Sequence, residues 1–177
     1  MGIIGGPQKK INGFLLKRYM DVYGEWVKLF NHNLINNEFF SSVNDFSEAR
    51  LNDPDDVKSN KYSILTYWGE FLRDNKYTLK LVYPELSITN IWSQTNDPTQ
   101  IGQGVVQNYI PIEIDSSTQG WGGLERYSGN NNTFLDGTVN HPNWYYAVGC
   151  ASMWSGGVPG PGVVTTLIEL WILDKPN

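Results

Sequence analysis

The feature that most constrains this chain is a series of short apolar and aromatic runs cut by turn clusters. Residues 77–83 read as a strand stopped by Pro84. Further candidate strands fall at 87–93, 105–114, 122–127, 133–135, 143–150 and 165–173. Upstream, residues 25–30 read as a strand as well. Turn-forming clusters at 128–132 and 156–162 separate the runs. Short strands at this spacing cannot bury their apolar faces as helices do. They predict an all-β chain, an antiparallel β-sandwich of jelly-roll or lectin-like type. One segment breaks the pattern. Ile64, Leu65, Tyr67, Trp68, Phe71 and Leu72 recur at helical spacing, which predicts one short α-helix over 63–73 with Ser63 as N-cap.

Composition supports this reading. Aromatics make up 14% of residues, and there are 18 Gly, 18 Asn and 9 Pro, a mixture suited to strands and tight turns. Hydrophobic residues at 40% supply a core and exclude global disorder. At 177 residues the length fits one domain.

The first 24 residues differ from the rest. Gly2, Gly5, Gly6, Pro7 and Gly13 break any regular element, and an apolar, basic run follows at Phe14, Leu15, Lys17, Arg18 and Tyr19. Residues 1–30 hold five basic and two acidic side chains; the remainder holds eight basic and sixteen acidic ones. The expected organisation is an N-terminal attachment arm over 1–24 and a β-sandwich domain over 25–177. The arm reads either as a solvated tail or as a partner-docking element, and its apolar residues would pack on the body or on a neighbouring subunit. No basic stretch leads an apolar one at the N-terminus, and no window reaches 18 apolar residues. The expectation is a protein made in a cytoplasm, without membrane insertion. A net charge of −5 argues against nucleic acid as a partner.

Chemical motifs are sparse. His32 and His141 are the only histidines and Cys150 the only cysteine, too few for a zinc site, so no metal and no cofactor is expected. Cys150, after an apolar run, reads as a small buried hydrophobe. Asp53, Asp55 and Asp56 lack the spacing of an EF-hand and read as a solvated loop, which leaves calcium open. The sequon at Asn131 reads as a hairpin tip. Glu113 and Asp115 share one strand face, with Glu125 and Asp136 nearby in sequence; a hydrolase built on such carboxylates is the third-ranked function. No catalytic residue is assigned. The aromatics carry the remaining signal. Trp121 and Trp154, each near glycines, are candidates to stack on sugar rings, with Asn143 and Asp136 to bond the hydroxyls.

A run of stretches forms a familiar ordered set. It starts at Glu25-Trp26-Val27-Lys28-Leu29-Phe30, passes through Leu79-Lys80-Leu81-Val82-Tyr83-Pro84, Asn90-Ile91-Trp92-Ser93 and Gly120-Trp121-Gly122-Gly123-Leu124, and closes on Leu167-Ile168-Glu169-Leu170-Trp171. Over residues 25–173 the chain resembles a poorly characterised family of lectin-like β-sandwich domains of bacteriophage, large-virus and marine invertebrate proteins. The closing strand is also similar to that of discoidin-like domains. The resemblance implies the fold and carries no site residue. Together with the differently charged arm and the absent catalytic set, it leads to the expected function: a non-catalytic virion structural or adhesion protein, such as a phage tail fibre, baseplate or capsid decoration. Its arm would bind other virion proteins, its body host-surface glycans, and it would form a homo-oligomer located in the virion. The alternative is a stand-alone carbohydrate-binding module, extracellular in location.

Overall fold

The structure is a computed structural model. It describes residues 10–11, 14–40, 59–102, 104–115, 120–126, 133–137, 146–151 and 156–177. The fold is all-β and sandwich-like, with antiparallel pairing between all its strands. The strands run in chain order as β1 (Lys10–Ile11), β2 (Phe14–Leu15), β3 (Arg18–Asp21), β4 (Gly24–Asn33), β5 (Lys61–Ser63), β6 (Tyr77–Tyr83) and β7 (Ile88–Gln94). Then follow β8 (Ile110–Ile114), β9 (Thr133–Leu135), β10 (Val148–Cys150), β11 (Val158–Pro159), β12 (Val164–Thr165) and β13 (Leu167–Pro176). One sheet dominates, in the order β3-β4-β13-β6-β7-β8, with β5 also paired to β4. The pairs β1–β2, β9–β10 and β11–β12 form small separate sheets.

The C-terminal strand β13 lies at the centre of the large sheet, between β4 and β6. That position explains its apolar residues on both faces. Ile168, Leu170 and Ile172 point to the main core; Trp171 and Leu173 point to the other face. Strand β4 follows the same alternation until a bulge. Leu170 pairs with Phe30, yet Trp171 pairs with Lys28, so Leu29 is the extra residue. The bulge lets Leu29 and Phe30 both enter the main core while Lys28 lies beside Trp171 on the other face. Leu79, Leu81 and Tyr83 of β6 and Trp92 of β7 complete this inner face. Each such side chain contributes roughly 1.5–3 kcal/mol on burial.

Opposite the inner face lie Trp121, Leu124, Phe134, Leu135, Ala147, Val148, Cys150 and Val158. Buried Gln94 ties these layers together. Its Oε1 accepts from the Trp92 indole at 2.7 Å and from the Leu124 amide at 3.0 Å, and its Nε2 donates to the Leu124 carbonyl at 3.0 Å.

Several expectations change in detail. Residues 77–83 form a strand as read, and 87–93 shifts by one residue. Of 105–114, only Ile110–Ile114 is a strand, and 122–126 contributes isolated bridges. The segment 63–73 is not an α-helix. It is a 3₁₀ segment, Leu65–Phe71, kinked at Tyr67. Its buried residues are Leu65, Trp68 and Phe71, spaced by three, which is the 3₁₀ repeat. Ser63 ends β5 instead of capping a helix, although its Oγ accepts from the Leu65 amide at 3.4 Å.

The boundary at residue 24 falls inside a hairpin. Strand β3 pairs with β4 from Arg18↔Val27 to Asp21↔Gly24, across the two-residue turn Val22-Tyr23. Leu16, upstream of it, is buried in the main core. So residues 16–24 belong to the body. Gly24 has a φ of +134°, and a Cβ there would sit 2.1 Å from the Lys175 carbonyl oxygen, so only glycine lets the hairpin approach the last strand.

Candidate functional site

Alternation places a second set of side chains on the outer face of the large sheet. The registers define one row across five strands: Lys28 of β4, Trp171 of β13, Lys80 of β6, Ile91 of β7 and Glu113 of β8. A parallel row runs Glu169, Val82 and Thr89. A third holds Tyr19, Trp26 and Leu173. Trp26, Ile91, Trp171 and Leu173 form a small apolar cluster, with Tyr19, Tyr23 and Val82 against it. Above that cluster lies a groove of about 740 Å³. Lys17, Tyr19 and Tyr23 line one wall, Glu113 and Asp115 the other, and Trp171, Lys80 and Ile91 are among its floor residues.

The β3–β4 hairpin leans over this groove. The Tyr23 hydroxyl donates to Glu113 Oε2 at 2.8 Å. Tyr23 belongs to the turn at one edge of the sheet, whereas β8 is the opposite edge. Five flat inter-strand spacings would separate those edges by about 24 Å, far beyond the reach of one Tyr and one Glu. The sheet therefore coils and the hairpin crosses its outer face. Lys80 of β6 makes the same crossing in its ion pair with Asp21 of β3.

The charges are arranged in pairs among the rings. Lys80 lies 4.2 Å from the Trp26 ring centroid and 5.1 Å from that of Tyr19. The Trp26 indole donates to Asp21 Oδ1 at 2.8 Å. Burial pushes the Asp21 carboxyl up, but the hydrogen bonds from Lys80, Trp26 and the Tyr23 amide outweigh it and hold the group below its usual range. Lys28 pairs with Glu169, and its ammonium lies 5.0 Å from the Trp171 centroid. Burial pulls Lys28 below its ordinary value despite Glu169, and nearby Lys17 pulls the same way. The bond to Glu113 raises the Tyr23 hydroxyl, so it stays a donor in ordinary buffers. Arg18 reaches Glu25 and, at 3.0 Å, Asp174. Asp115 accepts from the Thr89 amide at 2.9 Å. Among the described residues no group of three or more His, Cys, Asp or Glu side chains could hold a metal ion.

The residues expected to bind ligand stand elsewhere. Trp121 is only 8% exposed and packs edge-on against Trp92 and Tyr146, at centroid distances of 4.8 and 5.2 Å. The reading of Trp121 as an exposed stacking ring is corrected. Glycine near it gives close packing, not exposure, since a Cβ on Gly137 would sit 2.2 Å from its ring. Asp136 is likewise buried, and its backbone exchanges two hydrogen bonds with Glu125. It does not reach a surface where a sugar hydroxyl could meet it. Glu125 is buried too, with Oε2 accepting from the Gly104 and Val105 amides at 2.6 and 3.2 Å. Trp154, Asn143, Asp53, Asp55 and Asp56 lie outside the described residues.

Of the arm residues, Lys17, Arg18 and Tyr19 line the groove, and Phe14 and Leu15 form β2. Glu113 and Asp115 also line the groove, on one face as their spacing implies. Sequence reasoning missed Trp26, Lys28, Lys80 and Trp171 as site residues. A signal existed: lysines at alternate positions within otherwise apolar strands mark a second face that is neither core nor plain surface. No family model, curated protein or solved structure matches the chain.

Proposed function

We propose that this chain is a non-catalytic recognition domain that binds saccharide on the outer face of its large sheet. The observation that carries the reading is the groove itself, in which the half-buried rings of Tyr19 and Tyr23 stand over a Trp171 floor and face fixed carboxylates and ammonium groups. A pyranose presents flat C–H faces and a rim of hydroxyls. Aromatic walls suit the former, and oriented Glu113, Asp115 and Asp21 suit the latter. Preformed ion pairs and hydrogen bonds hold these groups before any ligand arrives, which lowers the entropy cost of binding. Glu113 and Asp115 are each engaged by a donor, Tyr23 and the Thr89 amide respectively, which favours a binding role for them over an acid–base one.

An adhesion protein of a virus particle and a stand-alone carbohydrate-binding module would both use this face. The engagement of Lys17, Arg18 and Tyr19 in the groove favours the module, because these residues would otherwise serve an attachment arm. Glycan-array screening of the wild-type chain and of Tyr19→Ala tests the proposal. Wild type is expected to retain a defined set of saccharides, and Tyr19→Ala to lose at least ten-fold in affinity while melting as a folded protein. Retention of no saccharide, or equal retention by the variant, would overturn it.

A further inference from the structure

The charges along the groove do not cancel evenly. Asp21 has Lys80 and the Trp26 indole, Glu113 has Tyr23, and Asp115 has the Thr89 amide. Around Trp171 the balance is different. Two ammonium groups face that ring, Lys28 at 5.0 Å and Lys17 at 5.8 Å from its centroid. Among the described residues one carboxylate, Glu169, serves them, and it is bound to Lys28 and to the Trp171 indole. Lys17 is exposed and has no carboxylate partner among the described residues. The β3 end of the groove thus presents one exposed ammonium, that of Lys17, beside apolar ring surface.

Resting on the saccharide reading, we infer that the groove selects an anionic pyranose, whose carboxylate or sulfate sits against Lys17 beside Trp171. An anion there would gain a charge-assisted bond from Lys17 and relieve the repulsion between Lys17 and Lys28. The neutral ring would then lie along Tyr19 toward Glu113 and Asp115. The shared chemistry is one negative charge borne on a sugar ring, as in a uronic acid or a sulfate ester.

Isothermal titration of the full chain at low salt tests this with paired probes. Oligogalacturonate is compared with the same oligomer methyl-esterified, and a sulfated galactan oligosaccharide with its unsulfated counterpart. The anionic member of at least one pair is expected to bind ten-fold or more tightly than its neutral partner, and the gain should shrink as salt rises. A gain in the first pair alone identifies a carboxylate, in the second alone a sulfate. Lys17→Gln, at an exposed position, should abolish the gain within each pair. Equal binding within both pairs, or a gain that survives Lys17→Gln, overturns the inference and leaves the saccharide reading standing. Binding of inorganic polyphosphate as tightly as the acidic sugars overturns the sugar-borne part. Absence of binding by all four oligosaccharides, with none retained in the array screen, overturns both.

Discussion

The strands of the large sheet make two unlike faces. The inner one is apolar, closed by a second layer and held by shape. Trp68, Trp92, Phe30 and Phe134 there are all under 2% exposed. The outer one mixes rings with charges, and among the described residues its cover is the β3–β4 hairpin. There, Lys28 is 2% exposed and Trp171 8%, yet Tyr19, Tyr23 and Glu113 above them line an open groove. The contrast teaches how a sheet divides its tasks. One face supplies stability through undirected apolar burial. The other uses directed ion pairs and ring contacts, which add less net stability but fix side chains in place. Substitutions should therefore act on folding from one side and on recognition from the other.

The sharpest break is on the inner face. Trp68 packs at a tilt against Tyr77, with ring centroids 5.3 Å apart, and is buried beneath the sheet. Trp68→Ala is expected to cost roughly 3–5 kcal/mol, measured by urea denaturation. A loss under 1 kcal/mol would mean that the 3₁₀ segment is peripheral to the core.

On the outer face the Lys28–Glu169 pair should be asymmetric. Lys28 is nearly inaccessible, whereas the Glu169 side chain is 22% exposed. Glu169→Gln strands a buried ammonium and is expected to cost about 3 kcal/mol. Lys28→Met leaves a carboxylate that can turn to water and adds apolar surface against Trp171, so it is expected to cost about 1 kcal/mol or less. Equal costs for the two would show that the pair is solvated.

A pH effect comes next and belongs to the inner face. His32 is fully buried among Phe30, Phe39 and Phe40, and its Nε2–H donates to the Glu38 carbonyl at 2.8 Å. Burial lowers its pKa to about 4 from an ordinary 6.5. The unfolded chain takes up this proton below pH 6.5, but the folded one does not until about 4. Stability attributable to the neutral ring is thus complete above pH 6.5 and lost as pH falls toward 4. The full loss is about 3 kcal/mol. His32→Gln should flatten the stability–pH curve over that window relative to wild type; parallel curves would refute the assignment.

The smallest effect concerns the hairpin. Tyr23→Phe removes one exposed hydrogen bond to Glu113 and should leave the denaturation midpoint almost unchanged. It should nonetheless loosen the groove and raise the dissociation rate of a bound saccharide, read by surface plasmon resonance. An unchanged rate would mean that the hairpin does not help to hold the ligand.

Much of the inner face was legible in the sequence. Alternation over Tyr77–Tyr83 and the apolar run before Cys150 both mark core, and Cys150 is fully buried. The helical spacing over 63–73 misleads because Leu65, Trp68 and Phe71 also fit a period of three, and only packing decides between the two. The groove was not legible for a different reason. Its residues come from five stretches, near 19, 80, 90, 114 and 170, that meet only through strand register. The β4 bulge that puts Lys28 opposite Trp171 has no sequence signature. The glycine-rich start hid β3, since residues ahead of it resemble a tail. Trp121 misled because flanking glycines fit both an exposed loop tip and a tightly packed ring.

The most direct test of the central claim is an NMR titration of the isotope-labelled chain with a saccharide retained in the array screen. The account predicts amide shifts clustered at residues 17–23, 80–82, 89–91, 113–115 and 169–171, with the inner-layer amides of 121–125 and 133–137 unmoved. Shifts concentrated at 121–125 and 133–137, with the outer face silent, would contradict it.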